Sequence, residues 1–140
     1  MPYRFLPDVA LADVAFEARS SSLEGLFEDC ARALTDVMVD RGTLQPRVER
    51  SVTVSSESLD RLLYDFLTEL VVIKDVESLL FKDFSVTIDR SSSSLKCVMK
   101  GEEIDRERHS LRNDVKAVTM HMFGVKRQGN EWSVTVVLDI

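Results

Sequence analysis

Two stretches of this chain carry an apolar repeat of 3.6 residues, and each is apolar on one face alone. The first runs through Leu23, Leu26, Phe27, Cys30, Ala31, Leu34, Val37 and Met38. The second runs through Leu59, Leu62, Leu63, Phe66, Leu67, Leu70 and Val71, with Asp60, Arg61, Asp65 and Glu69 on its other side. A one-sided helix has to bury its stripe against another element. Alternating, strand-like patterns fill the rest of the chain, so the expected partner is a sheet. Ser21 and Glu24 have capping-box spacing at the start of the first helix, and Gly42 follows its end. The serine-rich Ser55 to Ser58 precedes the second.

The period-2 segments set the order of the strands. Tyr3 to Leu6 and Ala12 to Ala18 read as extended, separated by a Pro7-Asp8 kink. Val48, Val52 and Val54 mark a third strand; Phe84, Val86 and Ile88 mark a fourth. Leu95, Cys97 and Met99 mark a fifth, and the Arg90 to Ser94 serine run is the hairpin loop before it. Asp114 to Val125 reads as one long strand, joined through a tight Gln128-Gly129-Asn130 turn to a last strand from Trp132 to Ile140. No repeat and no linker interrupts the 140 residues. The expectation is a single α+β domain over residues 1–140, with two helices packed on a mostly antiparallel sheet.

Composition narrows the function. With 24 acidic against 18 basic residues the chain has a net charge of −6. That argues against stable, direct binding to nucleic acid, which relies on a basic face. The basic runs Arg106 to His109 with Arg112, and Lys126-Arg127, are short and read as solvated loop charge. No apolar run is long enough to span a bilayer, so no membrane association is expected. Cys30 and Cys97 lack a CxxC partner or a neighbouring histidine. They read as small buried hydrophobes in a reducing compartment, which makes a cytoplasmic location the expectation. Gly-rich phosphate loops, GxSxG elbows and HExxH motifs are all missing, so a conventional hydrolase or kinase is disfavoured.

Three residues stand out chemically. Asp13 interrupts the apolar Ala10 to Phe16 segment, and Asp139 interrupts Val136-Val137-Leu138-Asp139. A carboxylate in such a setting needs a partner or an ion, or else sits at a solvent-facing strand end. The last strand runs to Ile140, so an α-carboxylate there would follow Asp139 directly. Together these oxygens form a hard donor set suited to Ca²⁺, Mg²⁺ or Mn²⁺. Lys116, among apolar neighbours, would neutralise carboxylates, contact a phosphate, or point to water from an edge strand. His121, on the opposite parity to Lys116, reads as a hydrogen-bonded structural histidine.

The same residues carry a family resemblance. Phe5-Leu6, Ala12 to Phe16 and Ser22 to Phe27 resemble the N-terminal block of the archease family. Asp114-Val115-Lys116-Ala117-Val118-Thr119-Met120-His121 is similar to its central block, which reads EVKAvTyH. Val136 to Ile140 resembles its closing vvlDI, and Gly101-Glu102 and His109 fall where the family has a Gly-Glu pair and a histidine. The resemblance covers essentially the whole chain in order. It departs where the family reads His-Thr-Ala-Asp: here the residues are Ala10-Leu11-Ala12-Asp13, with Asp8 as a candidate replacement across the kink. Ser20-Ser21-Ser22 stands in for a glycine-containing turn, and Met120 for a tyrosine.

The resemblance implies a protein cofactor of an RtcB-type RNA ligase, promoting its guanylylation by GTP and its repeated turnover in tRNA splicing and RNA repair. It implies a divalent-metal site, calcium foremost and magnesium or manganese as alternatives, at Asp13, Asp139 and the carboxyl group of Ile140. Lys116 would contact the ligase or its nucleotide. Two other classes compete with it. One is a small metal-dependent phosphoesterase-like enzyme with Lys116 or His121 as acid, base or charge stabiliser. The other is a chaperone-like interaction module with an exposed apolar patch.

Overall fold

A computed structural model describes residues 2–6, 13–121 and 123–140. Eight strands and two helices follow one another as β1 (Tyr3–Leu6), β2 (Asp13–Ser20), α1 (Leu23–Met38), β3 (Val48–Ser55), α2 (Leu59–Glu77), β4 (Leu79–Asp89), β5 (Ser94–Glu103), β6 (Ala117–Val118), β7 (Lys126–Gln128) and β8 (Glu131–Asp139). The strands divide into two antiparallel sheets where the sequence suggested one. The larger has the order β1-β2-β8-β6, with β7 also on β8; the smaller has the order β3-β5-β4. This is the expected α+β architecture. The kink at Pro7-Asp8 and the residues Ala10, Leu11 and Ala12 lie outside the described residues.

The helices hold the two sheets together. α1 packs on β2 of the larger sheet and on β4 of the smaller, while α2 reaches β6, β3 and β4. Both stripes are buried as the periodicity requires: Leu26, Phe27, Cys30 and Leu34 from α1 meet Leu62, Leu63, Phe66 and Leu67 from α2. The Phe27 and Phe66 rings stack at 6.2 Å between centroids. Each such side chain taken out of water contributes about 1.5–3 kcal/mol. Cys30 and Cys97 are free and buried as expected, and burial pushes both thiols up from their ordinary range.

Local details differ from the sequence reading in four places. The cap of α1 is Ser22, whose hydroxyl accepts from the Gly25 N–H at 3.0 Å, so the Ser21–Glu24 pair is out of register. That helix stops at Val39, which is extended, and Gly42 lies further on, in a 3-10 turn over Arg41–Thr43. α2 continues six residues past Val71 to Glu77 and ends on a left-handed Ser78 at φ 56°. Among the described residues, the supposed strand Asp114 to Val125 pairs only at Ala117–Val118. Its start is drawn off the sheet by other partners, with Asn113 N–H on the Val37 carbonyl and Asp114 on a lysine of α2. After Thr119 the chain turns, Phe123 N–H donating to the Met120 carbonyl at 3.2 Å. Apolar alternation shows which residues can be covered, but it does not show which backbone groups find a neighbouring strand.

The expected tight turn is present. Gly129 takes φ +62° between β7 and β8, a left-handed conformation that costs glycine nothing.

Candidate metal-binding tip and its supports

β8 gathers the predicted residues at one end of the larger sheet. Asp139 is directly opposite Asp13 on β2 and directly opposite Ala117 on β6. The Lys116 N–H donates to the Asp139 carbonyl at 2.8 Å, and the Thr119 N–H to the Val137 carbonyl at 3.0 Å. Directly opposed residues of antiparallel strands project to the same face, with Cβ atoms about 4.5–5.5 Å apart. Val134, Val136 and Leu138 of β8 join the core, so the pleat turns Asp139 and its partner Asp13 to the other face. Both aspartates are partly exposed, and among the described residues neither side chain has a hydrogen bond or an ion pair. Ile140 packs its side chain against the core immediately beyond them.

The fold thus brings Asp13, Asp139, Ile140 and the backbone of Lys116 together. The Lys116 side chain is exposed at the start of an edge strand. Asp8 lies outside the described residues. No cluster of three His, Cys, Asp or Glu side chains occurs among the described residues. The side-chain donors offered are the two carboxylates of Asp13 and Asp139. Unspent, partly exposed oxygens of this kind suit a hard, geometrically tolerant cation such as Ca²⁺, with remaining positions filled by water.

Sequence reasoning missed the residue that fastens this tip. Lys74, on the last turn of α2, is buried, and its Nζ donates to Asp114 Oδ1 at 2.6 Å and to the Val115 carbonyl at 2.8 Å. It also pairs with Asp75 at 2.6 Å. Burial disfavours the ammonium, but its hydrogen bonds to Asp114 and Asp75 outweigh that and hold Lys74 above its ordinary pKa. The clue was present in the pattern. Lys74 continues the Leu63, Phe66, Leu67, Leu70 stripe by one turn, and a lysine there has to find an acid.

A second polar cluster corrects the reading of Arg106 to His109 as loose surface charge. Glu102 on β5 is only 3% exposed. Its carboxylate accepts two bonds from Arg108, at 2.7 and 3.1 Å, and one from the Gln45 N–H at 3.0 Å. The Asp105 N–H donates to His109 Nδ1 at 2.9 Å, so in the neutral ring Nε2 carries the proton and donates to Glu102 Oε1 at 2.6 Å. The Arg108 hydrogen bonds, working against burial and aided by His109 and Gln45, hold the Glu102 carboxyl down to about 2. Arg108 and His109 fail to behave as free charge because β5 buries a carboxylate beneath them. His121 departs from expectation in the other direction. It is exposed in a turn, and its side chain makes no hydrogen bond among the described residues.

Both ring nitrogens of His109 are occupied, and His121 stands apart in a turn. What the tip offers is anionic oxygens on a rigid sheet end beside an exposed lysine. No helix among the described residues is long and apolar enough to cross a membrane.

These features define a class: small α+β domains in which two helices tie two antiparallel sheets and an acidic pair closes the end of one sheet. The profile of the Archease protein family (MTH1598/TM1083) matches residues 3–140. Protein archease of Pyrococcus abyssi is 39% identical over 132 residues, covering 92% of this chain and 93% of that protein. Protein archease of Methanothermobacter thermautotrophicus is 40% identical over 131 residues, with the same coverage. The solution structure of Methanobacterium thermoautotrophicum protein 1598 superposes with a TM-score of 0.86 at 37% identity, over 99% of each chain. A Thermotoga maritima archease, described as a possible chaperone, shares the fold at a TM-score of 0.67 and 19% identity over 96% of each chain. The chain belongs to the archease family.

Proposed function

We propose that this protein is a non-enzymatic cofactor that activates an RtcB-type RNA ligase. It promotes ligase guanylylation by GTP and multiple turnover, in tRNA splicing and RNA repair in the cytoplasm. The observation that carries this reading is the direct pairing of Asp13 with Asp139 at the end of the larger sheet. Asp13, Asp139 and the carboxyl group of Ile140 hold a divalent ion, calcium foremost, with magnesium or manganese as alternatives. A bound cation neutralises the carboxylates and leaves a compact polar tip for insertion into a charged pocket. Lys116, exposed beside the tip, contacts the ligase or its nucleotide.

Family membership supports the reading. The test is direct. Purified protein is mixed with a cognate ligase and GTP, and covalent guanylate on the ligase is followed with time. An accelerated rate that falls in Asp13→Asn and Asp139→Asn is expected. No acceleration at equimolar protein would sink the proposal. Phosphoesterase activity dependent on Mn²⁺ and lost in Asp139→Asn would instead favour an enzyme.

A further inference from the structure

The far end of β8 carries a patch of the opposite character. Trp132 is the chain's one tryptophan and is partly exposed. Two guanidiniums lie over its ring, Arg127 at 5.2 Å and Arg90 at 5.3 Å from the centroid. They come from different sheets. Arg127 is directly opposite Trp132 across the β7–β8 hairpin, whereas Arg90 stands in the β4–β5 turn. Neither arginine has an ion pair among the described residues, and both are exposed. By contrast Arg4, Arg19, Arg32, Arg41, Arg47, Arg50, Arg61 and Arg108 all have carboxylate partners.

Neighbouring acids make no ion pair with these arginines among the described residues. Asp89, adjacent to Arg90, accepts instead from the N–H and hydroxyl of Ser91 at 3.1 and 2.6 Å. Glu131, the acid of the β7–β8 hairpin, alternates to the face opposite Trp132. The turn that carries Arg90 adds the hydroxyls of Ser92 and Ser93. A partly exposed indole flanked by hydroxyls and by guanidiniums without carboxylate partners suits single-stranded nucleic acid. A base displaces an arginine from the ring and stacks in its place, and the freed guanidinium meets a phosphate. Seven residues of strand separate Trp132 from Asp139, roughly 24 Å, so this patch and the acidic tip can be engaged at once.

We infer that Trp132, Arg90 and Arg127 form a contact site for single-stranded nucleic acid, at the opposite end of β8 from the acidic tip. The net charge of −6 keeps the contact weak, in the range of non-specific binding at about 1–100 µM, and strongly salt-dependent. This agrees with the absence of a broad basic face, because the site is local and rests on stacking.

The single tryptophan makes the test simple. An unstructured RNA of about 15 nucleotides is titrated into the whole protein at about 50 mM salt, following Trp132 fluorescence, and again at about 200 mM. Saturable quenching that weakens with salt is expected. The Arg90→Gln/Arg127→Gln double variant should lose at least about tenfold in affinity. Its salt slope should fall by about 1.4, that is about 0.7 for each phosphate contact removed. An Arg4→Gln/Arg50→Gln variant, with the same charge change elsewhere, should bind at least threefold better than the Arg90/Arg127 variant. Thermal melting of every variant separates lost contact from lost fold. The inference is overturned by absence of quenching at low salt, by equal binding of the two double variants, or by equal quenching from heparin, which has charge but no bases.

Discussion

Removing the Glu102 carboxylate isolates what a buried acid contributes to this fold. In Glu102→Ala, the His109 Nε2–H and the Gln45 N–H lose their acceptor. His109 is buried, so its donor stays unpaired at a cost of about 1–3 kcal/mol, and Gln45 adds a smaller share. Arg108 is exposed enough to return to water, so its two bonds add little. The total comes to about 2–4 kcal/mol. At about 2.1 cal/mol/K per residue, a 140-residue chain unfolds with an entropy of about 0.3 kcal/mol/K, so Tm should fall by about 7–14 °C. Scanning calorimetry at pH 7 measures it. The pH dependence has a definite sign. The folded carboxyl sits at about 2, below its ordinary range, so the stabilisation is complete above about pH 4.5 and is lost as pH falls toward 2. The gap between wild type and variant should therefore close on acidification. A second arm uses Arg108→Ala, expected to cost under about 1 kcal/mol. A Tm change below about 3 °C in Glu102→Ala, or an Arg108→Ala cost as large as that of Glu102→Ala, would refute the assignment of the energy to buried, unpaired donors.

Three further outcomes follow from named contacts. Lys74→Met leaves the buried Val115 carbonyl without its donor, while Asp114 and Asp75 are exposed and return to water; it should cost about 1–2 kcal/mol in denaturant melts while slowing ligase guanylylation more than a similarly destabilising core change such as Ile73→Val. Gly101→Ala places a Cβ against the Leu80 carbonyl group, its carbon 2.8 Å away, where β4 already shifts register past Phe81. Backbone atoms cannot step aside as a side chain can, so a loss of about 2–3 kcal/mol or more, with reduced soluble yield, is expected. Asp139→Asn should weaken calcium binding at least tenfold by isothermal titration calorimetry. A peptide extension after Ile140 should weaken it more than Lys126→Ala does, and equal affinity of the extended protein would remove Ile140 from the ligand set.

Much of this protein was written in its periodicity. Two 3.6-residue stripes and several alternating runs specify two one-sided helices and paired strands, because burial of apolar surface is a local demand that each segment carries itself. Asp13 and Asp139 were equally legible, since a carboxylate in an apolar strand has to be explained. Other features depended on which segments become neighbours. The sequence suggests one sheet and the fold forms two, because α1 offers its stripe to both β2 and β4. Asp114 to Val125 looks like a strand, yet Lys74 takes the Asp114 carboxylate and the Val115 carbonyl at its start. Glu102 and His109 lie seven residues apart in an ordinary charged loop pattern, and only folding of β5 turns them into a buried pair. Asp13 and Asp139 are 126 positions apart, and the register of β2 on β8 alone makes them neighbours. That same strand separates the acidic pair from the Trp132 patch by its length. Hydrophobic pattern is a property of each segment, whereas a site is a property of the register between segments, and register is decided by tertiary packing.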